Sequence, residues 1–439
     1  MIINTKKNYP QARGLIIIVF DTLRKDYESF SKKYGLTLKN LPRLKTLCSI
    51  KPQARCGSFP TVPFRTDLLT GRLSFLSDEW ARPFSGEETL LSLSRNNGYR
   101  TTLVTDNYVT IIPKIGGLFL DEFDTVDFVR GVASDPWSTP SKNLLEQTIK
   151  WKKLRPTRDY LFEAQFISNV NRWLQKGQTP FRQLFNNAIE HLTELIKHDR
   201  FLLWLDFFAF HEPWISYSKE IAYNNLLEIP FFPKYIEKSY YSKRQLTALK
   251  KQYVQRLSEI DEDIEFLIDA IEYAVSCSDI ALAVLSDHGF LFGEFGFVGK
   301  PANTPLPPEL HEIICWLSPH FSNVDTNLKT GIQPHMLHRE IRRVLGIPGK
   351  MLEDQDIQIF ARNSPHSNYV TAVNSKQLLF LEKNNGYVPI TKTIERGSLN
   401  SEKLLVSQGT NNIDSDTRLK INKILLEGRS PWLRGFCTS

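Results

Sequence analysis

The chain has 439 residues, 41% hydrophobic and 12% aromatic, which is long enough for one large α/β domain with a smaller one and too apolar for a disordered chain. Its 55 basic against 48 acidic side chains leave +7 at pH 7, spread along the sequence, a balance that suits an anionic ester and disfavours a nucleic-acid partner. Five cysteines (Cys48, Cys56, Cys277, Cys315, Cys437), odd in number and without paired spacing, exclude a disulfide framework or a zinc knuckle and point to reduced thiols.

The first apolar run, Leu15 to Phe20, is too short for a signal peptide or for the roughly 20 residues of a membrane span, so a cytoplasmic protein with no membrane span is expected. No feature of the sequence sets an oligomeric state. The run is rich in β-branched residues and ends abruptly at Asp21. It reads as a central parallel strand whose C-terminal tip carries a carboxylate, where open α/β sheets place their ligands. After a short helix over Leu41 to Ser49 comes Thr61-Val62-Pro63-Phe64-Arg65, running on to Gly71-Arg72. Pro63 suits a first helical turn, so Thr61 or Val62 is the expected N-cap. A hydroxyl there faces unpaired backbone donors and the positive end of the helix dipole, which favours an alkoxide and an anionic substrate. A simpler reading leaves Thr61 as a cap and pairs Arg65 with Asp67 or with solvent.

Glu88 to Asn97 has helical spacing, and Tyr99 to Thr105 reads as a second parallel strand ending in Asp106-Asn107, which either cap a turn or contact substrate. The segment Arg130 to Gln178 holds Pro136, Pro140 and Pro156 and a basic cluster at Lys150, Lys152, Lys153, Arg155 and Arg158; it is either solvated surface or part of a substrate channel. Phe181 to His198 is an amphipathic helix. Phe201 to Asp206 is another buried strand, and the loop after it carries His211, either a packed core residue or a functional one. Arg244 to Val275 reads as one long helix, with Glu259, Asp261, Glu262 and Asp263 as a solvated face or as first-turn charges for neighbouring helices.

Ile280 to Ser286 repeats the first design, a buried strand with Asp287-His288-Gly289 at its tip. Asp21, Asp287, His288 and Thr61 together supply two carboxylates, an imidazole and a hydroxyl, a set suited to one divalent cation. A glycine-rich stretch then leads to Lys300. His311 to Leu317 is strand-like, and His335 to Pro348 is helical. Tyr369 to Val373 and Leu378 to Leu381 form a hairpin, and Asn384-Asn385-Gly386 is a turn.

Four of these stretches, Val-Phe-Asp-Thr-Leu-Arg (19–24), Thr-Val-Pro-Phe-Arg closing in Leu-Leu-Thr-Gly-Arg (61–72), Leu-Ser-Asp-His-Gly (285–289) and Gly-Lys (299–300), resemble the sulfatase branch of the alkaline phosphatase superfamily in order and spacing. The resemblance covers roughly residues 12 to 130 and 200 to 385. It implies a mixed, mostly parallel sheet between helices over 1–350, with 130–200 as a variable insertion. A small C-terminal antiparallel subdomain over 351–439 would follow. The family's nucleophile position, a Cys or Ser converted to formylglycine in true sulfatases, is Thr61 here. Threonine cannot make that aldehyde. The family's Lys and His at the next strand tip are Asp106 and Asn107, which removes a sulfatase's grip on sulfate. His211, followed by Glu-Pro-Trp, matches the family's histidine near the leaving oxygen, and Lys300 its pocket lysine. Ala209 stands where relatives often have an acidic residue, which implies one metal rather than two.

The expected enzyme is therefore a metal-dependent phosphate ester hydrolase of phosphodiester or phosphonate monoester type. Thr61 attacks, Asp21, Asp287, His288 and Thr61 hold the metal, and Arg65, Lys300 and His211 assist the transferred and leaving groups. A sulfate ester hydrolase without formylglycine, a phosphoryl transferase and a noncatalytic binding protein are the alternatives.

Overall fold

Seven residues, Gly14–Phe20, form the first strand, and every one of them is buried. In the computed structural model this strand (β1) lies at the centre of a six-stranded sheet. The structure describes residues 11–76, 88–111, 120–152, 159–217, 232–277, 279–301, 306–328, 330–348, 358–362, 369–373, 377–382 and 390–395. The remaining strands, in chain order, are β2 (Ser58–Phe59), β3 (Arg100–Thr105), β4 (Thr125–Phe128), β5 (Phe201–Phe207), β6 (Ile280–Ser286), β7 (Leu291–Phe292), β8 (Val298–Gly299) and β9 (Cys315–Leu317). The main sheet runs β4-β3-β5-β1-β6-β9, parallel throughout except for the antiparallel edge strand β9. β1, β5 and β6 are apolar along their whole length because helices cover both faces, as a parallel sheet requires. Two apolar layers result: Ile16, Ile18 and Phe20 pack to one side of β1, and Leu15, Ile17 and Val19 to the other. The mostly parallel α/β sheet expected from the sequence is thus present.

A second sheet has the order β13-β12-β11-β10-β2, with β10 (Gln358–Arg362), β11 (Tyr369–Val373), β12 (Gln377–Glu382) and β13 (Ile390–Glu395). β11 and β12 pair antiparallel with Val373 opposite Leu378, the hairpin read from the sequence. β10 also pairs in parallel with β2, Ala361 beside Ser58 and Arg362 beside Phe59, so this sheet reaches the segment just ahead of Thr61. The turn at 384–386, the residues beyond 395 and most of the basic cluster at 150–158 lie outside the described residues.

Two expectations need correction. The long helix is two, Lys243–Asp263 and Glu265–Cys277, although its apolar stripe, including Leu257, Ile260, Ile264 and Ile268, stays buried across the break. Asn40 Nδ2 donates to the carbonyl of Asp261 at 2.6 Å, the acceptor that residue 265 would use in an unbroken helix. The Asp261 carboxylate meanwhile accepts from the N–H groups of Lys39, Asn40 and Leu41, so it serves the first turn of helix Asn40–Thr46. Strand β9 is also shorter than expected. Pro307 and Pro308 start a helical turn that takes in His311, whose Nδ1 bonds the Leu306 carbonyl at 2.7 Å.

Burial lowers His311 to about 3, and His335 and His338 to about 4. These imidazoles are neutral in the fold, while in the unfolded chain they bind protons below about pH 6.5. Between that value and about 4 the unfolded state therefore holds more protons. Each such histidine therefore contributes stability that is present above pH 6.5 and lost as pH drops, by about 1.4 kcal/mol per pH unit. Urea titrations of the natural and His338→Gln chains from pH 7.5 to 4.5 check this: relative to the variant, the natural chain should lose about that much stability per pH unit.

Candidate active site and metal centre

The C-terminal tips of β1, β5 and β6 lie side by side, with Phe20 opposite both Phe207 and Ser286. Asp21 N donates to the Phe207 carbonyl at 2.8 Å and Asp287 N to the Phe20 carbonyl at 3.2 Å, so ladder bonds continue one residue past the strands. Asp21, Asp287 and His288 each offer a ligand atom, all within 4.8 Å of one another, and all three are buried. This is the one such group among the described residues.

Thr22 ties the two carboxylates together. Its N–H donates to Asp287 Oδ1 at 2.9 Å and its hydroxyl to Asp21 Oδ1 at 2.8 Å. To do both it takes φ = 65°, a left-handed conformation that is unfavourable for a β-branched residue. His288 Nδ1 faces the Gly289 carbonyl at 3.0 Å, an acceptor, so Nδ1 carries the proton and Nε2 keeps a lone pair. Burial, and behind it the nearby Lys300 charge, lower His288 to about 3, which keeps the ring neutral and able to ligate.

Thr61 opens helix Thr61–Thr70 (α1). The N-cap is Pro60, not Thr61 or Val62, and no side chain caps the helix. Phe64 N already bonds the Pro60 carbonyl at 3.0 Å. Set inside the first turn instead, the Thr61 hydroxyl is left for other work: Oγ1 lies 3.4 Å from His288 Nε2. The loop before it is gripped by Asp67, whose carboxylate accepts from Ser58 N at 2.6 Å and Ser74 N at 2.7 Å. Burial pushes Asp67 up to about 7. A Cβ at Gly57 would sit 2.4 Å from Asp67 Oδ2, which explains a glycine there.

Arg65 does not pair with Asp67 or with solvent. It is 1% exposed, and its Nε and one terminal nitrogen make a two-pronged contact with Asp206, both bonds 2.6 Å. The other terminal nitrogen donates to Asp287 Oδ2 at 2.8 Å and to the Thr61 carbonyl at 2.7 Å. Asp21 Oδ2 is 3.6 Å from the guanidinium. Burial works against the charge, but the carboxylates of Asp206 and Asp287 outweigh it and hold the arginine protonated. Its donors are directed to the Asp206 and Asp287 carboxylates and the Thr61 carbonyl.

Asp21 is the member with capacity to spare. Its Oδ2 is buried and accepts no hydrogen bond. Burial, then the Asp287 carboxylate, raise its proton affinity. An unsatisfied buried carboxylate oxygen beside a second carboxylate, a neutral imidazole nitrogen and a hydroxyl fits a hard or borderline divalent cation.

His211 and Lys300 meet on the other side. Lys300 Nζ is 2.9 Å from His211 Nε2, and the ring stacks on Phe208 with centroids 4.1 Å apart. Burial lowers His211 to about 4, with the Lys300 charge acting in the same direction. At the tip of β3, Asn107 Oδ1 accepts from Val109 N at 3.2 Å, a turn cap, and its amide reaches Asp206 at 3.3 Å. Asp106 accepts from Phe208 N at 2.7 Å, and burial pushes its carboxyl up to about 8.

All seven residues singled out from the sequence thus fall at one sheet edge, in two groups. Thr22, Asp206 and Glu212 were not singled out. Asp206 had the signal of Asp21, an apolar strand ended by a carboxylate; Thr22 had none, since only the backbone reveals its conformation.

Comparison with known proteins gives the same picture. The sequence profile of the family described as Sulfatase matches residues 13–336. No curated protein matches the chain. Similar solved structures include the phosphonate monoester hydrolase of Agrobacterium radiobacter (14% identity, 95% of each chain covered, TM-score 0.57). The phosphonate monoester hydrolase of Silicibacter pomeroyi is 13% identical over 95% of each chain, with a TM-score of 0.62. A 2-O GAG sulfatase is 13% identical, covering 95% of this chain and 91% of its own, with a TM-score of 0.53.

Removing one partner from a buried ion pair leaves a charge uncompensated. Arg65→Met should therefore destabilise the fold by about 3–5 kcal/mol in urea unfolding; a loss below about 1 kcal/mol would show that the guanidinium holds nothing in place. A divalent cation added after chelation should raise Tm in the natural chain, and Asp287→Asn should abolish that rise.

Proposed function

The chain belongs to the sulfatase family of the alkaline phosphatase superfamily and is a sulfatase-like hydrolase; from that premise we propose that it cleaves phosphate esters, of phosphodiester or phosphonate monoester type, with Thr61 as nucleophile. The observation that carries this reading is the 3.4 Å approach of Thr61 Oγ1 to His288 Nε2, inside the cluster of Asp21, Asp287 and His288 whose ligand atoms lie within 4.8 Å. Asp21, Asp287, His288 and the Thr61 hydroxyl would hold one divalent cation, which when bound would acidify the hydroxyl and polarise a nonbridging oxygen of the substrate.

The chain's own groups do the rest. Thr61 Oγ1, its proton given to solvent, forms a bond to phosphorus as the bond from phosphorus to the leaving oxygen breaks. Lys300 and His211 share one proton between Nζ and Nε2, and that proton passes to the departing oxygen. Water then forms a bond to phosphorus as the bond from phosphorus to Thr61 Oγ1 breaks; the water gives one proton to the pair, Oγ1 takes a proton back from solvent, and the acid product leaves. Arg65 keeps the carboxylates oriented throughout, while Lys300, 3% exposed, offers positive charge to the transferred group.

Phosphorus is favoured over sulfur on two grounds. A threonine cannot become formylglycine, and the β3 tip presents Asp106 and Asn107 where a sulfate grip needs cationic side chains. The substrate is expected to be a small anionic ester.

With bis(4-nitrophenyl) phosphate and a divalent cation, Thr61→Ala should lower kcat/KM by about 10³-fold or more, with an unchanged Tm. Thr61→Ser should retain turnover. Full activity in Thr61→Ala, or faster turnover of 4-nitrophenyl sulfate by the natural chain, would overturn the reading.

A further inference from the structure

The His211–Lys300 pair rests on a group with no role so far. Glu212 is fully buried, and its Oε2 lies between the two, 3.2 Å from His211 Nδ1 and 3.5 Å from Lys300 Nζ. The Glu212 carbonyl also faces Nδ1, at 2.7 Å. The hydrogen bond at Nδ1 goes to that carbonyl rather than to Oε2, so the main chain places the ring proton on Nδ1 and leaves Nε2 the lone pair that receives a hydrogen bond from Lys300. The Tyr235 hydroxyl donates to the other carboxylate oxygen, Oε1, and fixes the carboxylate's rotation. Tyr235 is itself seated by Gly299, at φ = 87°: a Cβ there would come within 2.1 Å of the tyrosine ring. The residue before Lys300 is thereby fitted to the ring that orients Glu212, and Lys300 Nζ lies over the same ring, 5.6 Å from its centroid.

We infer that Glu212, oriented by Tyr235, is the positioning residue of the leaving-group side: its buried carboxylate is the counter-charge that keeps the Lys300 ammonium aimed at His211 Nε2. The inference rests on the phosphate ester hydrolase reading for its kinetic consequence, though not for its structural one. The carboxylate touches no substrate, yet it decides where the proton shared by Lys300 and His211 sits.

The test is Glu212→Gln, close to isosteric, with Tyr235→Phe as a milder second variant. On phosphodiesters in the presence of a divalent cation, Glu212→Gln should lower kcat about 10–100-fold while KM stays within about threefold. The loss should be greater for an alkyl leaving group than for 4-nitrophenol, because a poor leaving oxygen depends more on the delivered proton. A merely structural lesion would slow both substrates equally. In a His211→Ala background the same substitution should add no further loss, since the two act as one unit. Nitrogen-15 spectra of histidine-labelled protein supply a readout independent of turnover, with the His211 signal identified by its absence in His211→Ala. The natural chain should show Nδ1–H with a hydrogen-bonded Nε2, Glu212→Gln an Nε2 signal moved toward that of an imidazole without its Lys300 donor, and Tyr235→Phe a smaller change in the same direction.

An unchanged His211 signal in Glu212→Gln overturns the inference, as does an equal loss for both leaving groups. Should the natural chain hydrolyse no phosphate ester, the phosphate ester reading fails by itself. The Nε2 signal then decides alone whether Glu212 holds Lys300 against the imidazole.

Discussion

One guanidinium holds the catalytic edge together. Asp21, Asp206 and Asp287 come from three adjacent parallel strands, and without a cation among them their carboxylates would repel one another in a region closed to water. Arg65 is that cation, and it sits one turn along the same helix that presents Thr61. Because its terminal nitrogen also bonds the Thr61 carbonyl, the position of the hydroxyl and the position of the Asp287 ligand are set by the same side chain. The fork geometry of arginine matters here, since a lysine ammonium could not address Asp206 with two parallel bonds and still reach Asp287.

Much of this was legible in the residues. Apolar, β-branched runs that stop at a carboxylate mark the ends of β1 and β6, and the family resemblance, in its four motifs and the phrase around His211, pointed to Thr61, Arg65, His211 and Lys300. What the sequence could not carry was direction. Arg65 could have faced solvent, Asp67 or a ligand; only the three-dimensional arrangement turns it to Asp206. The N-cap was misplaced by one residue because a proline at N3 is as compatible with a start at 60 as at 61. Similarly, the unbroken apolar stripe of residues 253–271 concealed a helix break that depends on a contact from Asn40, more than two hundred positions earlier in the chain.

The two sides of the site differ in how they treat charge. Around Asp21 a carboxylate oxygen accepts no hydrogen bond and burial lowers the proton affinity of the imidazole, the setting for a cation. Around His211 the cation is already built in, as Lys300, with Glu212 as its counter-ion. Phe208 and the β3 tip connect them: Asp106 fixes the backbone of Phe208, and the phenyl ring supports the imidazole.

The parallel contact between Ser58–Phe59 and Ala361–Arg362 bears on how the molecule comes into being. Strands β1, β3, β5 and β6 have all been synthesised by Ser286, so the ligand-bearing tips can assemble while the ribosome is still at work. The backbone leading into Thr61 gains its outer neighbour only when β10 emerges, long afterwards. A nascent chain could therefore collect its carboxylates early and settle its alcohol late, when β10 arrives beside Ser58 and Phe59.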